Sequence, residues 1–176
     1  PGNFNTQILN NNPIRSLPRK LKVTIDGGGT RTNANLPIGR KVSTGAAGDA
    51  EDQSVTGIIE GQGSSITGND IVSGGSGYSV SGTVPLVSLT GSGSGCTVTV
   101  TTSNGVVTNV TRQTSGTGYQ VGDVLTLDNS HSGVVRGSGF KLIVATINST
   151  FDTLYLTDVQ GEKFTNDQPL VQYGAG

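Results

Sequence analysis

The chain has no methionine, no tryptophan, one cysteine and one histidine. A lone cysteine excludes an internal disulfide, and Cys96 with His131 is too small a donor set for a zinc site. Charged residues make up 13% of the sequence, about half the usual fraction, and sum to a net charge of −1. The molecule as a whole therefore has no electrostatic attraction for nucleic acid, and it lacks one defence against self-association. No run of about 18 apolar residues exists, so no helix is expected to cross a bilayer. The N-terminus lacks the charged-then-apolar pattern of a secretory signal. Pro1 is what removal of an initiator methionine would leave, from which a nearly complete cytosolic product is expected. No segment carries a convincing 3.6-residue apolar period, so no helix is expected in the fold either.

What is abundant is glycine, at 28 of 176 residues, together with serine, threonine and valine. Valine and threonine suit a pleated surface, and glycine suits tight turns. The expectation is an all-β chain, long enough for one domain with a real core or for a domain plus an arm. Residues 1–20 read as an extended arm. Asparagine recurs, Pro13 and Pro18 block regular pairing, and Ile8, Leu9, Ile14 and Leu17 are scattered as apolar anchors for a partner. Residues 21–70 read as a loop-rich β segment that opens with the alternating strand Leu21–Ile25. The basic residues from Arg15 to Lys22, with Arg31, Arg40 and Lys41, have no stacking aromatics among them and read as a solvated face.

Residues 71–176 contain a near-repeat. Gly74-Gly75-Ser76-Gly77-Tyr78-Ser79-Val80 returns as Ser115-Gly116-Thr117-Gly118-Tyr119-Gln120-Val121, with the tyrosines 41 positions apart. Each copy runs through an apolar stretch to a second glycine pair, Gly93/Gly95 and Gly137/Gly139, 44 positions apart, and then into an alternating strand. The copies span about 71–112 and 113–147. Asn104-Gly105 between them predicts a type I′ hairpin, because that pair accepts positive φ at both central positions. Gly77, Tyr78, Gly118 and Tyr119 are read as turn residues, the glycines giving backbone freedom and each ring covering its turn. A C-terminal hairpin is expected over 151–173. The two copies are expected to pair as halves of one compact sandwich or barrel.

The glycine-rich stretches do not carry a phosphate loop, since none ends in Gly-Lys-Ser/Thr ahead of a helix. A calcium roll would need a carboxylate after Gly74–Gly77, where Tyr78 and Ser79 stand. Asp123, Asp128, Asp152 and Asp158 are read as turn and strand-end carboxylates ahead of ion ligands. His131 falls in a loop by composition, and Gly91-Ser92-Gly93-Ser94-Gly95 lies in a β-repeat rather than at a nucleophile elbow. Cys96 sits in an alternating strand and reads as a small core side chain. No catalytic residue, cofactor or metal site is assigned, and no enzyme is expected.

The run Gly116-Thr117-Gly118-Tyr119-Gln120-Val121-Gly122-Asp123-Val124-Leu125-Thr126-Leu127 resembles the glycine-rich β-repeats of virion structural proteins of tailed phages, especially phages of marine cyanobacteria. Thr153–Phe164 is similar to a second module of such proteins, and the likeness covers roughly residues 70–170. The first copy departs from it, with Ser81-Gly82-Thr83 in place of Gly-Asp. The resemblance implies a protein of the virion, assembled in the host cytoplasm. Its partners would be other capsid or tail subunits, with homo-oligomers, trimers among them, and with neither a membrane nor a specific nucleic acid. A capsid decoration or cement protein that clamps a lattice through its arm is the first expectation. An accessory tail, neck or baseplate protein is the second. A rival from another class is a host-surface glycan-binding module using Tyr78, Tyr119, Tyr155 and Tyr173 as stacking platforms.

Overall fold

In a computed structural model, residues 19–24, 37–44, 55–161 and 170–172 are described. Among them the chain is all-β, as composition demands, with no helix. The N-terminal half holds β1 (Arg19–Thr24), β2 (Lys41–Thr44), β3 (Val55–Gly63) and β4 (Ile66–Ser76). The first copy continues with β5 (Ser79–Val80), β6 (Val84–Ser88) and β7 (Ser94–Ser103), and β8 (Val106–Thr117) leads into the second. The rest is β9 (Val124–Leu127), β10 (Val134–Val135), β11 (Ser138–Ile147), β12 (Thr153–Gly161) and β13 (Leu170–Gln172). The arm anchors Ile8, Leu9, Ile14 and Leu17 lie outside the described residues. Arg19 and Lys20, expected at the end of the arm, belong to strand β1.

Six strands form a nearly closed, barrel-like sheet in the order β4-β11-β9-β6-β7-β8. That order is its own mirror if β4 exchanges with β8, β11 with β7 and β9 with β6. The repeat thus generates a pseudo-twofold barrel. Its axis passes where Leu86 faces Leu127, two residues in equivalent places in the two copies. The core pairs off by the same rule: Ile66 with Val107, Tyr78 with Tyr119, Val84 with Leu125, Cys96 with Phe140, Val98 with Leu142, all buried in one cluster. Even the irregularities match. Val72 is the extra residue of a bulge in β4 against β11, and Gln113 is its counterpart in β8 against β7.

The copies do not close on themselves. β4 and the turn at Tyr78 lie against β11, which belongs to the second copy, while β8 and the turn at Tyr119 lie against β7 of the first. Tyr78 covers Gly137 and Tyr119 covers Gly93, each so closely that a Cβ on that glycine would run into the ring. The backbone repeats with the packing: φ is +63° at both Gly75 and Gly116, and +73° at both Gly77 and Gly118. Each ring therefore lies against both its own turn, at Gly75 or Gly116, and a glycine of the other copy, Gly137 or Gly93. Cover of its own turn is expected from sequence; contact with the other copy is not.

Asn104 and Gly105 have φ of 49° and 77° and close β7 onto β8, as a type I′ turn requires. At the equivalent place in the other half, β4 and β11 do not meet in a hairpin. Their pairing at Ile66 and Ile147 runs on, through Asn148 N–H to Ser65 O (2.9 Å) and Asp152 N–H to Gly63 O (3.0 Å), into the pairing of β3 with β12. That ribbon is the spine of a second sheet, ordered β1-β12-β3-β2-β13, with Val42, Ile59, Leu154 and Leu156 fully buried. The strands expected as a C-terminal hairpin do not pair with each other. β12 lies between β1 and β3, and β13 lies beside β2. Both ends of the chain supply this sheet, and a hydrophobicity pattern cannot announce such non-local pairing.

The barrel's seam lies between β4 and β8, which share no strand ladder. Near Gly74 it is closed by bare backbone, since a Cβ there would lie 2.6 Å from the Val107 carbonyl oxygen. Further along, the Arg112 guanidinium crosses from β8 to donate to Asn69 Oδ1 (3.2 Å) and to the Thr67 carbonyl (3.1 Å). Arg112→Ala is expected to cost roughly 1–2 kcal/mol, the low side for bonds from a charged donor because the group is half-exposed. The readout is a lower urea midpoint with an unchanged slope. An unchanged midpoint would mean that the Gly74 contact holds the seam alone.

Candidate functional site

The two glycine-tyrosine turns sit at opposite ends of the barrel. β7 begins beside Gly116 and ends at the hairpin whose Gly105 carbonyl accepts from Tyr78 N–H (2.9 Å), a strand length of about 30 Å away. At the second turn, Tyr119 exchanges both main-chain bonds with Ser64 (2.9 Å each), which docks the second sheet on the barrel. A cleft of ≈ 540 Å³ opens beside this junction, lined by Lys22, Glu60, Gly61, Gly91, Ser92, Gln120, Tyr155 and Leu156.

Its walls are tied across the sheets. Lys22 Nζ donates to the Ser92 carbonyl (2.7 Å), and Ser92 Oγ donates to the Tyr155 hydroxyl (3.2 Å). Tyr155 in turn donates to the Gly118 carbonyl, while Gly118 N–H donates to Asp152 Oδ1 (3.0 Å). Thr153 Oγ1 donates to the same carboxylate oxygen (2.9 Å). Gly61 is bare because the Gln120 amide lies on its Cα. Burial pushes the Tyr155 hydroxyl above its ordinary pKa, and the charges of Asp123 and Asp152 push the same way, so it stays protonated and donates. The cleft is lined by an ammonium, a carboxylate, an amide and hydroxyls, of which Lys22, Ser92 and Tyr155 are bonded across its walls. Ser92 Oγ donates to a neutral phenol, not to a base that would activate it.

The four turn residues singled out from sequence serve this architecture differently. Gly118 is buried behind the cleft and Gly77 is exposed. Tyr119 and Tyr78 are 0% and 3% exposed, so neither ring is available to stack on a ligand. Tyr119 Oη accepts from Cys96 N–H at 3.3 Å, whereas Tyr78 meets the edge of Phe140, the residue equivalent to Cys96. Cys96 is buried and its thiol pKa is raised by that burial, which suits a core side chain. His131 Nδ1 accepts from Gly133 N–H (3.1 Å) within its own loop. Among the described residues no group of three or more His, Cys, Asp or Glu could hold a metal ion, and no helix is long and apolar enough to cross a membrane. Sequence reading missed Lys22, Glu60, Ser92 and Gln120 as cleft residues. No linear spacing connects them; only the docking of β1 and β3 on the second turn does.

Asp123 is buried, with Oδ2 accepting from Gln120 N–H (3.0 Å) and the carboxylate packed on Gly91. Burial raises its pKa, and the Gln120 bond pulls back only part of the way. A carboxyl whose folded pKa lies above the unfolded value holds its proton more tightly when folded. Its contribution to stability is therefore gained as pH falls from the raised value towards about 3.9, and lost as pH rises through that window. Asp123→Asn keeps an acceptor for Gln120 and removes the charge. The variant is expected to be more stable than wild type at neutral pH, with a margin that shrinks on acidification. Denaturant midpoints that differ by the same amount at both ends of the window would contradict this.

Fold and site together define an all-β protein, a nearly closed pseudo-twofold barrel carrying a second sheet, with a cleft beside their junction. No family model, no curated protein and no solved structure matches the chain.

Proposed function

We propose that this chain is a structural, non-enzymatic protein of a virus particle, first of all a capsid decoration or cement protein, and otherwise an accessory tail, neck or baseplate protein. One observation carries the reading. The run that resembles virion β-repeats is spent on scaffolding: Tyr119 and Gly118 are buried, Asp123 caps Gln120, and Leu125 and Leu127 fill the core. A motif used in this way builds a rigid body whose function lies in the surfaces it presents. The apolar anchors Ile8, Leu9, Ile14 and Leu17 precede that body and supply area to bury against neighbouring subunits. The test is co-sedimentation of the purified chain with particles that lack it. Deleting residues 1–18, which stops short of β1, is expected to abolish binding to capsids. Unchanged binding sinks the arm mechanism, and binding to isolated tails alone selects the second placement.

The cleft gives one specific reason to keep glycan binding as a second reading, with Gln120, Ser92, Lys22 and Glu60 as polar contacts and Tyr155 as its aromatic wall. Burial of Tyr78 and Tyr119 takes those two rings out of it. Saturable binding on a glycan array, lost in Gln120→Ala with the thermal melt unchanged, would favour this reading. An array without signal removes it.

A further inference from the structure

Asn104 and Gly105 divide the chain into two halves that fold through each other. Among the described residues, seven of the ten strand ladders join one half to the other: β1-β12, β3-β12, β2-β13, β4-β11, β5-β10, β6-β9 and β7-β8. The three within a half are β2-β3, β6-β7 and β9-β11, and each holds only two or three residue pairs. Side-chain packing follows the ladders. Tyr78 lies on Gly137 and Tyr119 on Gly93, Leu86 faces Leu127, and the Arg112 guanidinium reaches Asn69. The long ladders of each half are thus all made with the other.

The connection between the halves is a two-residue hairpin turn. Both of its residues take positive φ, 49° at Asn104 and 77° at Gly105, and Asn104 is exposed. A non-glycine residue in the left-handed region holds the turn under strain, and short strained hinges invite the exchange of elements between molecules. Straightening this hinge turns β7 and β8 into one strand from Ser94 to Thr117 and releases both positive φ angles. The bond given up is that from Tyr78 N–H to the Gly105 carbonyl (2.9 Å). Each of the seven joining ladders is then available with the complementary half of another molecule.

We propose that this chain exchanges halves with a second molecule of itself. Residues up to Ser103 of one molecule close the barrel and the second sheet with residues from Val106 of the other. The straightened β7–β8 strands run antiparallel past each other at the centre of a twofold dimer. The candidate cleft is then shared, with Lys22, Glu60 and Ser92 from one molecule and Gln120 and Tyr155 from its partner. The inference rests on the ladders and the turn, and does not depend on what else the protein binds.

The test is refolding of the full chain from denaturant at micromolar and at millimolar concentration, followed by sedimentation velocity. Monomer is expected from the dilute sample and dimer from the concentrated one. The dimer is expected to persist after native dilution, because return to monomer requires unfolding. Asn104→Val with Gly105→Val puts β-branched side chains at positive φ, and is expected to raise the dimer-to-monomer ratio about tenfold. Cross-linking identifies the partner strand. A chain carrying Thr99→Cys is refolded with one carrying Thr111→Cys, positions directly opposed in β7 and β8 and so about 5 Å apart at Cβ. A short bismaleimide is expected to join the two kinds of chain but not Thr99→Cys chains to each other, while Cys96 stays buried. Monomer at every concentration overturns the proposal, as does a dimer fraction that the turn change leaves unmoved. So does a dimer that dissociates at once on dilution, or one that shows no cross-link between the two variants.

Discussion

Gly116→Ala is expected to remove most of the stability of the barrel, and Gly75→Ala to do the same from the other end. Both positions have φ of +63°, which costs an alanine about 1 kcal/mol. The larger part is steric. A Cβ on Gly116 would lie 2.7 Å from Cys96 N and 2.7 Å from Tyr119 Cε2, with the Ser94 carbonyl oxygen closer still. Two of those three obstacles are backbone of the neighbouring strand and cannot rotate away. Overpacking of this kind costs about 1–3 kcal/mol or more, so the total approaches the lower end of the 5–15 kcal/mol that holds a typical domain folded. Gly82→Ala is the internal control. Its φ is +70° but nothing lies within 4 Å of the added methyl, so only the conformational cost of about 1 kcal/mol is expected. Denaturant midpoints for the three variants decide the matter. Equal losses at Gly82 and Gly116 would show that the close approach between strands is not what requires glycine.

Tyr119→Ala is expected to cost about 3–5 kcal/mol, the range for deleting a buried aromatic ring. The ring is fully buried and lies on Gly93, so its removal opens a void between the copies at the place where the second sheet docks. Tyr119→Phe separates the ring from the hydroxyl. It leaves Cys96 N–H without the acceptor that Tyr119 Oη provides, at a cost of about 1–3 kcal/mol. Tyr78→Phe is expected to cost less, because the packing there is an edge-on contact with Phe140 at 6.3 Å. Urea unfolding of the two phenylalanine variants gives the comparison directly. A larger loss at Tyr78 than at Tyr119 would reverse the roles assigned to the two hydroxyls.

Much of the barrel was legible before any coordinates. The repeat spacing, the Asn104-Gly105 turn and the burial of Cys96 are local facts, set by residue size, alternation and tolerance of positive φ. What local facts cannot carry is which glycine each tyrosine covers. Gly77-Tyr78 and Gly93 are neighbours in sequence, yet Tyr78 lies on Gly137 and Gly93 lies under Tyr119. The second sheet was illegible for the same reason. β12 reads as half of a hairpin because Gln160-Gly161 resembles a turn, but its partners β1 and β3 come from the opposite end of the chain. The cleft follows from that pairing, since Lys22 and Gln120 become neighbours only after β1 has joined β12.

The exchange of glycine pairs between the copies also sets a timetable for synthesis. As the chain leaves the ribosome, the first copy emerges with Tyr78 made but its resting place, Gly137, still untranslated. β6 and β7 appear before β9 and β11, so half of a barrel waits in an open state with Val84, Leu86 and Val98 uncovered. Closure needs Phe140 and Leu142, and the second sheet needs β12 after them. The fold therefore forms late and nearly all at once, and a chain interrupted between the copies has no complete core to fall back on.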